Sequence, residues 1–451
     1  MKAYSEYKAM NLPWLKAIPA HWEIRRNKNV FTEMKEEVGE HSSEYTLLSL
    51  TLNGIIPRDM DAGGKFPSDF GKYKVVKKGY MAFCLFDVDE TPRTVGLSNF
   101  DGMLTGAYTI MNVSNINPRY ILYYYLALDN GKLLKPLYTG LRKTINVNTF
   151  QSTKIPVPPR TEQDQIVRFL DWKISMVNRL INTKRKEIKA IDAMKRSMVS
   201  SAVTRGLNSS VPMKFSGVKW LGDKPAHWQA IKLRQILHPV SVKNHPELPL
   251  LSVVREQGVI VRDVTDKEAN HNYIPDNLSG YKVVKKGQFA MNKMKAWQGS
   301  YGISDYTGIV SPAYFIFDVS FDNLEYFHYA IRSKVYVNFF AQASDGIRVG
   351  QWDLQMDKMK EIPFIIPPAD EQVAIVDYIK RTLPQYDVAI EKLSTEVETL
   401  EEYKTKLITD VVTGKIDVRD VEIPEYEFVD EEADADSDSD DDSDDTEEQE
   451  E

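Results

Sequence analysis

The stretch WLKAIPAHW, from Trp14 to Trp22, returns as WLGDKPAHW from Trp220 to Trp228, and this recurrence decides how the chain of 451 residues is organised. The heptapeptide YKVVKKG behaves in the same way, because Tyr73–Gly79 is repeated unchanged at Tyr281–Gly287. Three further pairs follow in the same order: Gly102–Val113 with Gly308–Val319, Gly140–Arg142 with Gly346–Arg348, and Ile155–Gln163 with Ile362–Gln372. Matches in one order at a nearly constant offset indicate a tandem duplication, with a period far too long for a solenoid.

Each copy has the same internal plan. A mixed segment of roughly 130 residues carries short β-branched and aromatic runs between Gly, Pro and Asn turns, which predicts a compact α/β domain. A Pro-Pro pair closes that segment, at Pro158-Pro159 in the first copy and at Pro367-Pro368 in the second. A long helix is predicted after each pair, over Thr161–Ala202 and over Asp370–Val412.

The two predicted helices carry apolar residues in alternating steps of three and four, the coiled-coil period. Residues 161–206 have 10 basic and 5 acidic side chains, whereas residues 370–420 have 7 basic and 12 acidic ones. Opposite charge beside matched apolar seams favours an antiparallel pair of these two helices. The alternative is that each helix packs on its own domain. Pro384 is expected to kink or restart the second helix.

The predicted fold is therefore mixed α/β, with two tandem domains separated by two long helices that form an antiparallel coiled coil. The predicted boundaries are 1–157 for the first domain, 158–206 for the first helical spacer, 207–366 for the second domain, 367–420 for the second helical spacer and 421–451 for an acidic disordered tail.

Composition is that of a soluble globular protein, with 42% hydrophobic and 27% charged residues. The sequence shows neither a membrane span nor the apolar core of a signal peptide. Cys84 is the only cysteine, which excludes internal disulfides and agrees with a reducing compartment. A cytoplasmic protein is expected.

The net charge of −8 averages two unlike parts of the chain. Residues 430–451 hold 15 of the 65 acidic residues and none of the 57 basic ones, so the rest of the chain carries +7. A basic body with an acidic tail is typical of nucleic-acid binding. The same numbers also fit a weakly basic protein with a solubilising tail.

Motifs for catalysis are missing from the sequence. There is no GxxxxGK[ST] phosphate loop, no Gly-rich methyl-donor fingerprint, and no Asn-Pro-Pro or Asp-Pro-Pro motif with a following aromatic residue. The seven histidines lack metal-ligand spacing. His21 and His227 occupy equivalent places in the repeat, where a structural role beside Trp22 and Trp228 is predicted. Asp87 and Asp89 suggest a nuclease metal site, but they lack a Lys partner and a repeat equivalent.

The whole plan resembles the specificity subunit of type I restriction-modification systems. The resemblance rests on the Trp-Leu-x-x-x-Pro-x-His-Trp opening of each half and on the Glu-Gln pairs that follow Pro-Pro, Glu162-Gln163 and Glu371-Gln372. It also rests on the Val-Thr-Gly-Lys-Ile-Asp close at Val412–Asp417. It covers residues from about Trp14 to Asp420, and the acidic tail departs from it.

The resemblance implies a DNA-recognition subunit without catalytic activity. In that family each domain reads one half of a bipartite asymmetric target, the helices set the spacing, and two methyltransferase subunits dock on them. Restriction subunits join that assembly, and S-adenosylmethionine, ATP and magnesium belong to the partners. Two alternatives are a stand-alone restriction-family enzyme and a helical scaffold that binds proteins. For the acidic tail two roles are open: its negative charges compete with DNA phosphates for the basic faces of the domains, or they only aid solubility.

Candidate DNA contacts are residues with forked or planar donors for base edges and cations for phosphates, placed in segments that follow the repeated YKVVKKG strand. Arg142 and Arg348 are equivalent in the repeat, so a shared phosphate or structural contact competes with base reading for them. Trp297 fits the core as well as a DNA face. The candidates are Arg93, Thr94, Arg142, Lys143, Asn146 and Asn148 in the first domain, and Lys293, Lys295, Trp297, Gln298, Tyr301, Arg348 and Gln351 in the second.

Overall fold

The computed structural model describes residues 2–58, 69–138, 143–219, 221–263, 274–275, 277–348 and 351–432. These residues form two compact units. The first unit comprises the described residues up to Arg185 together with those from Ser394 to 432, and the second comprises the described residues between Lys186 and Leu393. Each unit therefore contains one copy of the repeat and half of each long helix.

The first unit is built from short antiparallel strands around one four-stranded sheet, whose strand order is β4-β11-β8-β9. The pairs β1-β2, β3-β12, β5-β6 and β7-β10 surround it. The strands are β1 (Tyr7–Ala9), β2 (Ala17–Pro19), β3 (Glu23–Arg26), β4 (Phe31–Met34), β5 (Leu48–Thr51), β6 (Gly54–Pro57), β7 (Lys74–Val76), β8 (Met81–Phe83), β9 (Val95–Leu97), β10 (Gly102–Leu104), β11 (Thr109–Val113) and β12 (Lys154–Val157).

Helices complete the core of the first unit. Helix α1 (Pro118–Asn130) begins after Asn117, whose side chain accepts hydrogen bonds from the N–H groups of Arg119 and Tyr120, and α2 (Val147–Ser152) precedes β12. The buried face of α1 carries a run of tyrosines, of which Tyr125 packs its ring against Phe31, Phe83 and Phe150. This aromatic packing places the loops after β8 and before α2 on one side of a rigid core.

The second unit repeats this topology. Its four-stranded sheet has the order β16-β23-β20-β21, and the pairs β13-β14, β15-β26, β17-β18, β19-β22 and β24-β25 surround it. The strands are β13 (Met213–Phe215), β14 (Asp223–Pro225), β15 (Gln229–Lys232), β16 (Leu237–Val240), β17 (Leu251–Val254), β18 (Gly258–Val261), β19 (Lys282–Val284), β20 (Phe289–Asn292), β21 (Tyr301–Ile303), β22 (Gly308–Val310), β23 (Tyr314–Val319), β24 (Ser344–Arg348), β25 (Gln351–Leu354) and β26 (Pro363–Ile366). The structure thus confirms the duplication that the sequence predicts.

Apart from its parts of the two long helices, the second unit has three described helices, and all three are shorter than α1. They are α4 (Leu324–Ile331), α5 (Lys334–Gln342) and α6 (Met356–Lys360). The hairpin β24-β25 lies between α5 and α6. The corresponding stretch of the first unit precedes α2 and lies partly outside the described residues; its described part contains an isolated bridge between Phe86 and Thr144.

Two long helices are present close to their predicted bounds, as α3 (Arg160–Arg205) and α7 (Ala369–Val412). They begin just after β12 and β26, where the sequence predicts the change from domain to helix. Helix α7 continues through Pro384, so of the predicted kink or restart the restart is wrong. Leu383 packs on the core of the second unit just before this proline, and Asp387 is ion-paired with Lys195 just after it, so both sides are held in place.

Inside each unit the two helices lie antiparallel. In the first unit Val177 and Ile181 pack on Val397, and Lys184 forms an ion pair with Glu396. In the second unit Lys195 forms an ion pair with Asp387. Within each unit the end of one helix lies beside the start of the other, because Gly414 and Glu162 both contact Trp22 and Gly206 and Glu371 both contact Trp228, which agrees with the antiparallel direction predicted from opposite charge. The alternative also holds in part, because both helices pack on domain cores.

The two glutamines after the Pro-Pro pairs explain why the long helices begin where they do. The side chain of Gln163 donates to the carbonyl of Pro158 at 2.8 Å, and that of Gln372 donates to the carbonyl of Pro367 at 2.9 Å. In both cases the side chain folds back over the first turn and ties the helix to the Pro-Pro segment before it. The repeated motif therefore acts as a helix start.

The sequence places the start of the disordered tail at residue 421, which is too early. Val421 and Ile423 pack against the core of the first unit, and the main chain of residues 427–432 is hydrogen-bonded to α3. The sequence-based prediction gave too little weight to the apolar side chains between Val421 and Val429. Residues 433–451, for which disorder is predicted, lie outside the described residues. No described helix is both long and apolar enough to span a membrane.

His328, a half-buried histidine of the second unit, is hydrogen-bonded to the main chain of β21. His328 on α4 accepts a hydrogen bond from the N–H of Ile303 at Nδ1, at 3.3 Å. Its neighbour Arg332 donates to the carbonyls of Tyr301, Arg255 and Glu256 at 2.7–2.9 Å. Burial, with the positive charge of Arg332 as the second cause, lowers the pKa of His328 to about 4.

This histidine predicts acid sensitivity of the second unit. Its pKa is lower in the folded chain than in the unfolded one, so the unfolded chain takes up the proton first and stability falls as pH drops from about 6.5 towards 4. Between pH 7 and pH 5 the expected loss of unfolding free energy is about 2 kcal/mol. Urea unfolding at the two pH values measures it. In His328→Gln, which keeps an acceptor but does not titrate, the loss is expected to shrink, whereas the exposed control His238→Gln should behave as the wild type. Equal losses in both variants would contradict this assignment.

Candidate nucleic-acid interface

Two loops that are far apart in the sequence meet in the first unit. One follows β8 and the other precedes α2. The N–H of Asp87 donates to the carbonyl of Lys143 at 2.7 Å, and the N–H of Ile145 donates to the carbonyl of Leu85 at 2.6 Å. The two segments in which the sequence places DNA-contact candidates therefore form one surface.

The equivalent loops meet in the second unit. The loop after β20 contacts the hairpin β24-β25, where the N–H of Leu354 donates to the carbonyl of Lys293 at 3.1 Å. Lys293 also forms an ion pair with Asp353 at 3.4 Å. The same place in the shared topology is thus formed by different residues in the two copies.

Arg93 and Thr94 are held by a buried carboxylate. Asp129 is 2% exposed and accepts hydrogen bonds from the Thr94 hydroxyl at 2.7 Å, the Thr94 N–H at 3.1 Å and Arg93 Nη1 at 3.0 Å. Lys132 adds an ion pair at 2.9 Å. Because Thr94 is itself only 2% exposed, we withdraw it from the proposed DNA contacts. Arg93 shares this structural role, and reaching DNA would require it to leave Asp129.

The other candidates in the first unit are on the surface. Lys143 is exposed and pairs with Glu90, while Asp89 lies 3.7 Å from the same ammonium group. The hydrogen bond to Glu90 is the main cause that raises the pKa of Lys143. Asn146 is exposed and caps α2 by accepting the N–H of Asn148 at 2.8 Å, and Asn148 is exposed as well. Arg142 lies outside the described residues.

The second unit places its candidates around an aromatic pair. Trp297 lies in a short 3₁₀ turn with Gln298, and its ring stacks on Trp352 of β25 with centroids 5.6 Å apart. Its indole N–H donates to the carbonyl of Met294 at 3.1 Å. Lys293, Lys295 and Gln298 are partly exposed around this pair. Trp297 is therefore half-buried, and lies neither in the core nor fully on the surface.

Three more candidates of the second unit have different positions. Tyr301 is fully buried against Phe340, with ring centroids 4.5 Å apart, so it belongs to the core and not to a DNA face. Arg348 and Gln351 face each other across the hairpin β24-β25. Their side chains lie outside the described part of the chain.

Sequence reasoning missed Trp352. Its ring is 38% exposed, and it is the outer partner of the stack on Trp297. The available signal was a large aromatic residue directly after Gln351, in a segment already chosen for its polar donors. Its partner is 55 positions away in the sequence, and only the fold brings the two rings together.

The two Pro-Ala-His-Trp motifs hold the long helices on their domains. In the first unit Glu162 accepts from Trp22 Nε1 at 2.8 Å and from the Tyr4 hydroxyl at 2.5 Å, and it contacts His21 Nε2 at 2.7 Å. In the second unit Glu371 accepts from Trp228 Nε1 at 3.0 Å and contacts His227 Nε2 at 2.5 Å. This geometry supports the structural role predicted for both histidines.

A glycine completes each of these junctions. Gly414 ends α7 with a φ of 74° and lies against Pro19 and Trp22 in the first unit. Gly206 ends α3 with a φ of 76° and lies against Trp228 in the second unit. Any side chain at position 414 would meet Pro19 at 2.4 Å. Each tryptophan therefore contacts the beginning of one long helix and the end of the other.

Among the described residues, no group of three or more His, Cys, Asp or Glu side chains is placed to hold a metal ion. The loop surface of the first unit carries a lysine and amides beside the carboxylates of Asp89 and Glu90, and that of the second unit carries lysines, an amide and the indole pair. Cations, amides and aromatic rings are groups that proteins use to contact phosphates and bases.

Comparisons with known proteins agree with the resemblance. A family model described as the type I restriction modification DNA specificity domain matches residues 94–190. The putative type I restriction enzyme MjaX specificity subunit of Methanocaldococcus jannaschii is 24% identical over 434 residues, covering 89% of this chain and 95% of that protein. The type I restriction enzyme MjaVIII specificity subunit of the same organism is 26% identical over 321 residues, covering 66% of this chain and 71% of that protein.

A solved structure shares the fold. A chain from work on complex assembly and conformational transition of the type I R-M system aligns with 88% of this chain and 99% of its own length, at a TM-score of 0.58 and 12% identity. At that identity the likeness concerns the fold alone. The predicted fold class, two tandem mixed α/β domains, is thereby confirmed.

Proposed function

We infer that this chain belongs to the specificity subunits of type I restriction-modification systems and is the subunit that recognises the DNA sequence. One observation carries the function. Both units have the same framework, down to the Glu–Trp junctions, yet the same pair of loops carries different side chains in each unit. Two domains of one fold that read different sequences require this combination.

Each domain is proposed to read one half of a bipartite asymmetric target, and the helices to fix the number of base pairs between the halves. The antiparallel contacts of α3 and α7 inside both units support a fixed helix register. Two methyltransferase subunits are proposed to dock on the helices, with restriction subunits added to that core.

Catalysis is assigned to the partners in this proposal. Adenine methylation with S-adenosylmethionine and cleavage with ATP and magnesium take place on the methyltransferase and restriction subunits, in the cytoplasm. The chain itself supplies the DNA contacts. A stand-alone enzyme and a helical scaffold that binds proteins are the alternatives.

The proposed contact set follows the two loop surfaces. Arg142 and Arg348, equivalent in the repeat, are assigned to phosphates, and the divergent side chains to bases. The proposed base-reading residues are Lys143 and Asn146 in the first unit, and Lys293, Lys295, Trp297, Gln298 and Trp352 in the second.

Methylation mapping tests the proposed function. Cells that express the partner methyltransferase subunits with this chain are expected to methylate adenine in one bipartite asymmetric sequence. Cells that lack this chain, and cells with this chain alone, should leave that sequence unmodified. Methylation of the same sites without the chain would refute the proposal, and methylation by the chain alone would favour the stand-alone enzyme.

Trp352 provides a test of the second contact surface. Trp352→Ala is expected to slow methylation of the target at least about tenfold, because truncating a hot-spot aromatic contact costs about 2 kcal/mol or more and about 1.4 kcal/mol corresponds to a factor of ten. The control is Phe215→Ala, which removes another exposed aromatic ring of the same unit, on β13, and should leave the rate unchanged. Equal rates for the two variants would remove Trp352 from the proposed surface.

A further inference from the structure

The last seven described residues, Tyr426–Glu432, lie against α3 in the first unit, and we call them the strap. Three polar side chains of α3 meet the strap: Ser175, Asn178 and Asn182. Their spacing of three and four residues puts them in one row on the helix surface.

This row binds the main chain of the strap. Ser175 Oγ donates to the carbonyl of Glu427 and accepts from the N–H of Val429, both at 2.9 Å. Asn178 Nδ2 donates to the carbonyl of Val429 at 3.0 Å. Asn182 donates to the carbonyl of Asp430 and accepts from the N–H of Glu432, both at 3.0 Å. The side chains of the row therefore recognise peptide groups, as a strand does in a sheet.

Burial shows what the row requires. Ser175, Asn178 and Asn182 are 3%, 4% and 5% exposed. Polar groups buried to this degree need hydrogen-bond partners. The strap supplies them, except that Asn178 Oδ1 accepts from Lys404 of α7 at 3.4 Å. Without the strap, this face of α3 would be an open groove lined by donors and acceptors at the spacing of a peptide main chain.

One acidic side chain of the strap joins both long helices. Glu431 forms ion pairs with Arg185 of α3, at 3.0 Å, and with Lys404 of α7. Arg185 also reaches Glu401 of α7 at 2.9 Å. All four side chains are partly shielded from solvent, so the strap closes a charge network across the helix pair.

We propose that this face of α3, with Lys404 of α7, is a peptide-binding groove, and that the strap is its built-in, releasable ligand whose docking clamps α3 onto α7. The ligand class is a short peptide with an acidic side chain two positions after an aliphatic one, as in Val429-Asp430-Glu431. The inference goes beyond DNA reading and does not depend on it.

Proline substitution in the full chain tests the proposal. Val429→Pro removes the N–H that Ser175 accepts, and should release the strap. Glu427→Pro is the matched control, because Ser175 contacts the carbonyl of Glu427. A fluorescently labelled peptide of residues 423–432 is then titrated onto each chain and followed by anisotropy at low salt.

The peptide is expected to bind the Val429→Pro chain at least tenfold more tightly than the wild type or Glu427→Pro, in which the groove is occupied. Binding should weaken as salt screens the contacts of Glu431. Hydrogen exchange at residues 178–185 and 397–404 should rise in Val429→Pro and fall again when the peptide is added. A Glu431→Lys chain, which needs no proline, should also accept the peptide.

Two results would overturn the proposal. One is that the peptide binds all of these chains with equal affinity, or that it binds none of them. The other is unchanged hydrogen exchange in both Val429→Pro and Glu431→Lys. Hydrogen exchange at α1, in the core of the first unit and away from the strap, reports whether each variant is folded.

Discussion

Exchanging residues 229–361 for the corresponding segment of a relative is expected to replace one half of the methylated target and to leave the other half unchanged. The segment begins with β15 and ends just before β26, so it carries the loop after β20 and the hairpin β24-β25 together. Trp228 and Glu371, which hold the helices, stay behind. Lys232 and Arg234 travel with Glu361, their shared ion-pair partner.

The measurement is the methylation map of cells expressing the chimera with the partner subunits. The number of base pairs between the half-sites should also stay the same, because both long helices are retained. A reciprocal exchange in the first domain should change the other half only. A chimera that changes both halves at once would show that the domains do not read independently.

Replacing Glu162 with alanine is expected to destabilise the first unit by about 3 kcal/mol or more. The carboxylate is 5% exposed and meets Tyr4, His21 and Trp22, so its loss leaves two buried donors, the Tyr4 hydroxyl and the Trp22 indole N–H, without this acceptor. Each unsatisfied buried group costs about 1–3 kcal/mol. Urea unfolding, followed by hydrogen exchange in each unit, measures the loss.

The repeat offers a matched control for this variant. Glu371 has the equivalent contacts to His227 and Trp228, but its side chain is 36% exposed, so water can replace the lost acceptor. Glu371→Ala is therefore expected to cost about 1 kcal/mol, in the second unit only. Equal losses for the two variants would show that burial of the carboxylate does not set the stability of the junction.

The sequence was informative wherever a pattern repeated. Matching motifs predicted two copies of one fold, and apolar spacing predicted α3 and α7 to within a few residues. The pairing of opposite charges predicted the antiparallel contacts of Lys184 and Lys195. These features depend on local periodicity or on direct comparison of the chain with itself.

Features that depend on distant contacts were missed. Asp129, 35 residues further along the chain, is hydrogen-bonded to Thr94. Thr94, which the sequence suggests as a DNA contact, is therefore buried. Trp352 stacks on Trp297 across 55 residues, and Asn178 meets Val429 across 251. No local pattern marks such pairs, because many side chains of similar chemistry could fill each place until the topology selects one.

The division of the chain between the units has a consequence for synthesis on the ribosome. The core of the first unit includes Leu407, Val411 and Val412, and Gly414 lies against Trp22. These residues emerge almost four hundred positions after the first strands. The second unit uses a continuous stretch from Lys186 to Leu393, so it can close while translation continues. The first unit, whose strands are synthesised first, is thus the last to complete its core. A nascent chain halted before residue 407 would leave apolar side chains of that core exposed, where chaperones and proteases can recognise them.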